Sequence, residues 1–167
     1  MKFNDGAHPK CSKAQAVPGA LKAGACKSSI IGRGSTIVDA RGTTLGILNA
    51  DLTAYNAERG LFILLRVKQN PALDQVLRAK LTRSNTLVTV LDDSLRGIRA
   101  ELTNFRLVIN PQAGRLKGKK TPYAVLPKKC PKSGKFIIRT KYYFQDYVTQ
   151  KRTGTSTTSG TVNKCRK

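Results

Sequence analysis

Four cysteines, arranged as two pairs, constrain the fold of this chain more than any other feature. Cys11 and Cys26 lie close together near the start of the sequence, and Cys130 and Cys165 enclose its last segment. No Cys-x-x-Cys spacing occurs, and the arrangement is typical of disulfide bonds in an extracellular domain. We therefore predict two local disulfide bonds, Cys11 with Cys26 and Cys130 with Cys165. Bonds between the two pairs remain an alternative at this point.

A zinc site is the main rival interpretation of the first pair. His8 lies three residues before Cys11, and Cys26 would add a third ligand. Structural zinc sites normally take closely spaced ligand pairs from both halves of the site, and this chain lacks the second pair. We therefore predict no metal and no other cofactor, with free thiols as a third alternative.

Positive charge is concentrated in the last third of the chain. The sequence has 31 Lys and Arg against 9 Asp and Glu, which gives a net charge of +22. Residues 113–167 hold fifteen of these basic residues and a single acid, Asp146. Such an excess attracts polyanions. The candidate polyanion-binding residues form two clusters: Arg115, Lys117, Lys119 and Lys120, and then Lys128, Lys129, Lys132 and Lys135.

The expected location follows from the cysteines rather than from a targeting signal. The longest apolar run, 61–65, is too short to span a membrane and suits a buried strand. Residues 2–6 contain no apolar segment of the kind that signal peptides have. We expect an extracellular or cell-envelope domain whose signal peptide is absent from this sequence. A cytosolic protein with reduced cysteines is the alternative.

Short segments of strand character are separated by glycine and polar residues, and the first three are 29–40, 43–55 and 61–67. Asn70-Pro71 is typical of a helix start, because Asn caps a helix and Pro suits its first position. The apolar residues that follow have a spacing of three and four: Leu73, Val76, Leu77 and Leu81. The pattern predicts one short helix near 70–82, and a strand at 86–91.

Two later segments alternate between apolar and polar residues. In 98–109 the apolar residues occupy even positions first and odd positions afterwards, which predicts a β-bulge near Thr103-Asn104. Residues 136–144 keep one apolar face throughout, as a half-buried antiparallel strand does. A turn would bring back 153–163 as an edge strand, which places Cys130 and Cys165 at the open end of this hairpin.

These patterns predict an all-β fold. We expect an antiparallel immunoglobulin-like sandwich or an open barrel, with one short helix near 70–82. The domain organisation would be an irregular, disulfide-closed N-terminal arm at 1–28 and a β-sandwich domain at 29–167.

Nothing in the sequence has the pattern of a catalytic site, so we predict that the chain is not an enzyme. His8 is the only histidine, and an exposed loop position is the simplest interpretation of it. Asp92 and Asp93 are adjacent and would point to opposite faces of an extended chain. The glycines at 114 and 118 have the wrong spacing for a phosphate-binding loop. Gly32 and Gly34 indicate a bend or bulge in a strand.

The chain resembles a group of secreted, uncharacterised actinobacterial β-sandwich domains with two disulfide bonds. The resemblance rests on these motifs: Pro9-Lys10-Cys11, Ser-x-Ile-x-Gly-x-Gly at 28–34, the Tyr-Asn turn and apolar strand at 55–67, 102–107, Gly118-Lys119-Lys120, Tyr123, 130–136 and Cys165. It implies export, two disulfide bonds and a sandwich-like fold, and it carries no site residues. The chain departs from the group at Asp146-Tyr147, where Asp-Gly is usual, and in the stretch after Asn70.

Charge and cysteines together predict an exported, non-catalytic β-sandwich domain with a structural or binding role. Its basic surface would contact anionic envelope polymers or a protein partner. The alternative is a nucleic-acid-binding module that uses the basic C-terminal third, with interleaved tyrosines stacking on bases. No recognition helix or zinc finger accompanies these residues, whereas non-specific nucleic-acid binding needs only clustered cations. A hydrolase would have to use His8.

Overall fold

The computed structural model describes the following residues: 2–83, 86–89, 94–95, 98–109, 114–116, 119–125, 129–130, 132, 135–145 and 152–164. The chain forms two compact units, Met1–Val125 and Leu126–Lys167. The N-terminal arm and the main sheet both belong to the first unit. The predicted division of the chain after Ser28 stays a prediction.

Strands make up most of the described chain, and α-helix α1 covers Pro18–Lys22. Short 3-10 turns occur at Asp5–Ala7, Lys27–Ser29 and Pro71–Leu73. The strands in chain order are β1 (Lys2–Phe3), β2 (Ile30–Ala40), β3 (Gly46–Ala57), β4 (Gly60–Val67), β5 (Gln75–Leu81), β6 (Leu87–Thr89), β7 (Ser94–Leu95), β8 (Ile98–Arg99), β9 (Glu101–Ile109), β10 (Gly114–Leu116), β11 (Lys119–Thr121), β12 (Ala124–Val125), β13 (Lys135–Gln145) and β14 (Arg152–Lys164). In the described part of the chain, no helix is long and apolar enough to cross a membrane.

The first unit is built on a six-stranded antiparallel sheet with the order β6-β5-β4-β3-β2-β9. Consecutive strands from β2 to β6 are neighbours, and β9 returns to pair with β2. The prediction of an antiparallel all-β fold is confirmed, and the curled sheet is consistent with an open barrel or a sandwich. Smaller antiparallel pairs join β1 with β12, β7 with β8 and β10 with β11.

The predicted helix near 70–82 is wrong. Asn70 does cap a turn, since its side chain accepts a hydrogen bond from the Ala72 amide at 3.2 Å, but the turn ends at Leu73. The chain then forms β5, which pairs with β4. Leu73, Leu77 and Leu81 are four residues apart, and that even spacing fits an alternating strand as well as a helix. Pairing with the apolar strand β4 decides between the two.

The predicted β-bulge in the segment 98–109 is confirmed. Ile37 of β2 pairs with Asn104, and the next residue, Val38, pairs with Leu102, so Thr103 is the extra residue. Its hydroxyl donates to the carbonyl oxygen of Ile37 at 3.4 Å. Because the bulge shifts the alternation by one position, apolar residues on both sides of it pack against the same core, namely Ile98, Ala100, Leu102, Leu107 and Ile109.

Strand β4 is buried on both of its faces, which explains its continuous apolar sequence. Leu61, Ile63 and Leu65 face the main core of the unit. Phe62 and Leu64 face a second cluster, which the N-terminal arm completes with Cys11 and Leu21 of α1, among others. The sheet therefore has a core side and an outer side, and the arm covers the part of the outer side over β4 and the end of β3.

The arm is fixed to the sheet by a disulfide bond and by hydrogen bonds. The predicted bond between Cys11 and Cys26 is confirmed, with a Cα–Cα distance of 5.2 Å. The Cys11 amide donates to the carbonyl oxygen of Asn56 at 2.8 Å. The Asn56 side chain in turn donates to the carbonyl oxygens of His8 at 3.0 Å and Pro9 at 3.1 Å. The disulfide therefore lies directly against the end of β3.

The second unit contains the predicted C-terminal hairpin. Strands β13 and β14 pair antiparallel from Lys135 opposite Lys164 to Gln145 opposite Arg152. Cys130 is half-buried, whereas Cys165 lies outside the described residues. The disulfide bond between Cys130 and Cys165 therefore stays a prediction.

Candidate functional site

The surroundings of His8 differ from those predicted. Its side chain is buried, with 4% of its surface exposed, and it is not an exposed loop histidine. The ring packs edge-on against Tyr123 with 5.2 Å between centroids, and Phe3 packs against the same tyrosine at 5.8 Å. The alternative of a zinc site at His8, Cys11 and Cys26 is wrong, because the sulfur atoms of the two cysteines form the disulfide bond and are not thiolate ligands. Within the described residues, no group of three His, Cys, Asp or Glu side chains is placed to hold a metal ion.

The first predicted basic cluster lies on the hairpin of β10 and β11. The register places Arg115 opposite Lys120, and Leu116 opposite Lys119. Lys119 is exposed. Lys117, the fourth member of the cluster, lies outside the described residues. The hairpin therefore collects three of the predicted cationic positions within a few residues of each other.

The second predicted cluster belongs to the other compact unit. Lys129 and Lys132 are exposed, and Lys135 begins β13 opposite Lys164. Lys128 lies outside the described residues. Each cluster is thus a separate local concentration of positive charge, and a polyanion-binding role for either stays a prediction.

A third group of cations, which local sequence composition does not single out, lies on the outer side of the main sheet. The N-terminal arm covers the end of β3, and it leaves the part of this side over β9, β2 and the first half of β3 uncovered. We call this region, together with the end of β4, the open face. Its residues are Arg33, Ser35, Ile37, Asn49, Asp51, Thr53, Arg66, Lys68, Asn104, Arg106 and Val108.

The strand register arranges the open face in rows. One row crosses the sheet as Arg106, Ser35, Asp51 and Arg66. Neighbouring strands lie about 4.8 Å apart, so the two arginines at the ends of this row are separated by about 14 Å at their backbones. Arg33 lies in the adjacent row, two residues along β2 from Ser35. Three exposed arginines therefore surround the centre of the face.

The adjacent row on the other side of Ser35 is mostly uncharged. It consists of Asn104, Ile37 and Asn49, and it ends at Lys68, whose amide donates to the carbonyl oxygen of Asn49 at 2.9 Å. These side chains line a shallow pocket of about 340 Å³, which also includes Ser35 and Gln69. The Gln69 side-chain oxygen accepts a hydrogen bond from the backbone amide of Asn49 at 3.1 Å. This bond helps to hold the Gln69 side chain in the pocket wall.

The face carries a single carboxylate, Asp51, among the residues that define it. Asp51 lies 3.1 Å from Lys68 Nζ and opposite Arg66 across β3 and β4. Both partners of the ion pair are more than half exposed, at 57% and 53%, so the pair adds little to stability. Within this set four cations stand against one anion, which leaves the open face with an excess of positive charge. In the next row, beyond Ile37, Asp39 of β2 lies opposite Glu101 of β9, and Asp39 forms an ion pair with Arg41.

Tyr55 lies where the open face meets the arm. Burial raises the pKa of Tyr55 above its usual value, and the nearby Arg33 and Arg66 oppose part of that rise. Chemically, the open face offers charge-assisted hydrogen bonds to an anion and neutral amide and hydroxyl groups beside them.

A sequence signal for the open face exists in the alternation of β2 and β3. In 49–53, three polar or charged residues alternate with the buried Ala50 and Leu52, and in β2 the exposed Arg33 and Ser35 lie on either side of Gly34. The charge excess in the last third of the chain is a larger signal than this alternation, and it points to other residues.

No family model, no curated protein and no solved structure matches this chain.

Proposed function

We propose that the protein is an exported, non-catalytic β-domain that binds an anionic polymer of the cell envelope through its basic surface. The observation that carries this proposal is the open face, where three exposed arginines on β2, β4 and β9, and Lys68 directly after β4, accompany one carboxylate. Clustered cations release counterions from a polyanion when they bind it, and this requires no specific pocket.

Two further features support the proposal. The net charge of +22 provides long-range attraction toward polyanions. The disulfide between Cys11 and Cys26 is typical of proteins in oxidising compartments outside the cytosol, which suits a role in the envelope. The resemblance to secreted β-sandwich domains agrees with such a location, and the hairpin cations at 115–120 would add a second contact region.

The proposal is tested by fluorescence polarisation with a labelled poly(glycerol phosphate) chain over a series of salt concentrations. We expect binding at about 0.15 M salt and a linear fall of log K with log salt, since the attraction is between charges. Absence of binding at this ionic strength would contradict the proposal. Mixed-sequence DNA serves as the comparison, and a sequence preference that persists near physiological salt would favour the nucleic-acid alternative instead.

A further inference from the structure

The three cations that surround the centre of the open face are arginines, and this choice has chemical consequences. Arg33, Arg66 and Arg106 are exposed and lie on three different strands. The planar guanidinium group presents a fork of donors that matches the oxygens of a phosphate group, whereas an ammonium group acts as a point charge. The face is therefore suited to separate phosphate groups at fixed positions.

The shallow pocket lies on the side of Ser35 that is opposite to Arg33, and it is suited to a different chemical group. Its polar lining consists of a hydroxyl and side-chain amides, namely those of Ser35, Asn49, Gln69 and Asn104, with Lys68 at the rim. Amides and hydroxyls both donate and accept, so they recognise hydroxyl groups, which also do both. The pocket is open to one side and has a volume of about 340 Å³, so it can receive one unit of a chain that lies across the face.

Asp51 disfavours a polymer whose charges are densely spaced. It lies in the same row as Ser35, between Arg106 and Arg66, and about half of its side chain is exposed. A phosphate placed beside this carboxylate would be repelled, whereas a hydroxyl can donate a hydrogen bond to it. The centre of the face therefore favours a hydroxyl-bearing unit between two phosphates.

The open face also lacks a means of binding bases. Proteins that bind single-stranded nucleic acid stack successive bases on exposed aromatic rings. Among the residues that define the open face, none is aromatic, and the adjacent Tyr55 is only 4% exposed. The face thus favours a polymer without bases.

We infer that the open face binds a phosphodiester polymer whose linking units carry free hydroxyl groups. The arginines bind its phosphates, and the pocket lined by Ser35, Asn49 and Asn104 receives a hydroxylated unit. This inference rests on the proposed function and adds the site and the ligand chemistry. Asp51 provides selectivity against polyanions that have charges but no hydroxyls.

The test uses three labelled polymers with equal numbers of phosphates: poly(glycerol phosphate), inorganic polyphosphate and a thymidine homopolymer. We expect the full chain to bind poly(glycerol phosphate) about tenfold more tightly than either of the others at the same salt concentration. Arg106→Gln and Arg33→Gln should each weaken this binding about fivefold. Each should also make the slope of log K against log salt less steep by about 0.7 for every phosphate that the variant no longer neutralises. Arg83→Gln removes the same charge from an exposed turn after β5 and should have much less effect.

Two further variants separate hydroxyl recognition from charge. The double variant Asn49→Ala/Asn104→Ala should weaken poly(glycerol phosphate) binding about fivefold and leave polyphosphate binding unchanged, since it removes no charge. Asp51→Asn removes the carboxylate that repels phosphates, so it should strengthen polyphosphate binding more than poly(glycerol phosphate) binding. The ratio of the two affinities should therefore become smaller. Thermal melting of each variant checks that these exposed substitutions leave the fold intact.

The outcomes distinguish the inference from the proposed function. Equal affinity for all three polymers, or equal effects of Arg106→Gln and Arg83→Gln, would overturn the inference. If Lys119→Gln/Lys120→Gln abolished binding while the variants of the open face did not, the polymer would bind at the hairpin and the proposed function would survive. Tighter binding of the thymidine homopolymer would replace the inferred ligand with nucleic acid. No binding of any polymer would remove both.

Discussion

Gly34 of β2 lies directly against the backbone carbonyl oxygen of Arg106 in β9, so that a Cβ atom at Gly34 would overlap this oxygen. A side chain could be accommodated only if the two strands moved apart, and this would disturb the edge of the open face. Gly34→Ala should therefore destabilise the protein by about 1–3 kcal/mol. Urea unfolding measures this loss. Gly42→Ala is the matched control, because a Cβ there meets nothing within 4 Å. Equal unfolding midpoints for the two variants would contradict the close approach.

The side chain of Asp74 connects the arm to the sheet. One carboxylate oxygen lies 2.9 Å from Lys22 Nζ in α1, and the other accepts from the Val67 amide at 2.9 Å. Asp74 is buried and Lys22 is about one-third exposed. Asp74→Ala should cost about 3 kcal/mol, because it removes the acceptor as well as the charge, and Asp74→Asn should cost less because it keeps an acceptor oxygen.

The lysine side of this ion pair supplies a control. Lys22→Met leaves the Asp74 carboxylate without its ammonium partner and should be destabilising, whereas Lys13→Met changes an exposed lysine of the same arm. Chemical denaturation of the four variants gives the comparison. If Lys22→Met and Lys13→Met had the same free energy of unfolding, the ion pair would have no role in holding the arm.

The disulfide bond between Cys11 and Cys26 should stabilise the protein mainly by restricting the unfolded chain. The two cysteines are 15 residues apart, and a loop of this size corresponds to about 3 kcal/mol. Cys11→Ser/Cys26→Ser should lose about this amount in chemical denaturation. Because Cys11 also packs beside Tyr55 and Phe62, the arm should become more sensitive to proteolysis than the sheet. Cleavage that begins in β3 or β4 would contradict this order.

The second predicted disulfide bond is tested by counting thiols in the denatured protein. The register pairs Lys135 with Lys164. Cys165 directly follows Lys164 in the sequence, and Cys130 lies five residues before Lys135. We expect no reactive thiol before reduction and four after it. Two thiols before reduction would show that only the bond between Cys11 and Cys26 forms, and a mixed pairing would appear in peptide mapping.

The strand pattern is predictable from the sequence where one face of a strand is buried and the other is not. The bulge at Thr103 is an example, because a change of phase in the sequence must be absorbed by an extra residue if both halves face the same core. The spacing of Leu77 and Leu81 fits a helix as well as a strand, so periodicity alone could not decide between them. Residues 75–81 form a strand because they pair with β4, and local propensity contains no information about that pairing.

The open face is harder to predict, because its members come from four segments of the sequence. Arg33, Asp51, Arg66 and Arg106 are each ordinary exposed residues in their own strand. They become neighbours only through the order of strands β4-β3-β2-β9, in which β9 returns to pair with β2. Local composition instead emphasises the lysine-rich hairpin at 115–120, where the cations are close in sequence. A long-range pairing is therefore needed to find the site.

The position of Tyr55 predicts a loss of stability at alkaline pH. Burial raises its pKa in the folded protein above the value of 10.0 that it has in the unfolded chain. Above pH 10 the unfolded chain releases the Tyr55 proton more readily than the folded protein does, and this favours unfolding. The contribution of the protonated Tyr55 to the free energy of unfolding is therefore complete below pH 10 and is lost as the pH rises further. Tyr55→Phe has no such proton. The drop in melting temperature between pH 9 and pH 11 should therefore be smaller in this variant than in the natural sequence.

Two arginines of the open face also influence the pKa of Tyr55, and this gives the prediction a second measurement. Arg33 lowers the pKa of Tyr55, so Arg33→Gln should move its ionisation to still higher pH. Tyrosinate absorbance in a spectrophotometric titration reports this shift, and the step that disappears in Tyr55→Phe identifies the residue. Arg83→Gln, which removes an arginine from the turn after β5, should leave the step where it is. A step that moves equally in both variants would mean that net charge, rather than the arginine beside the phenol, sets this pKa.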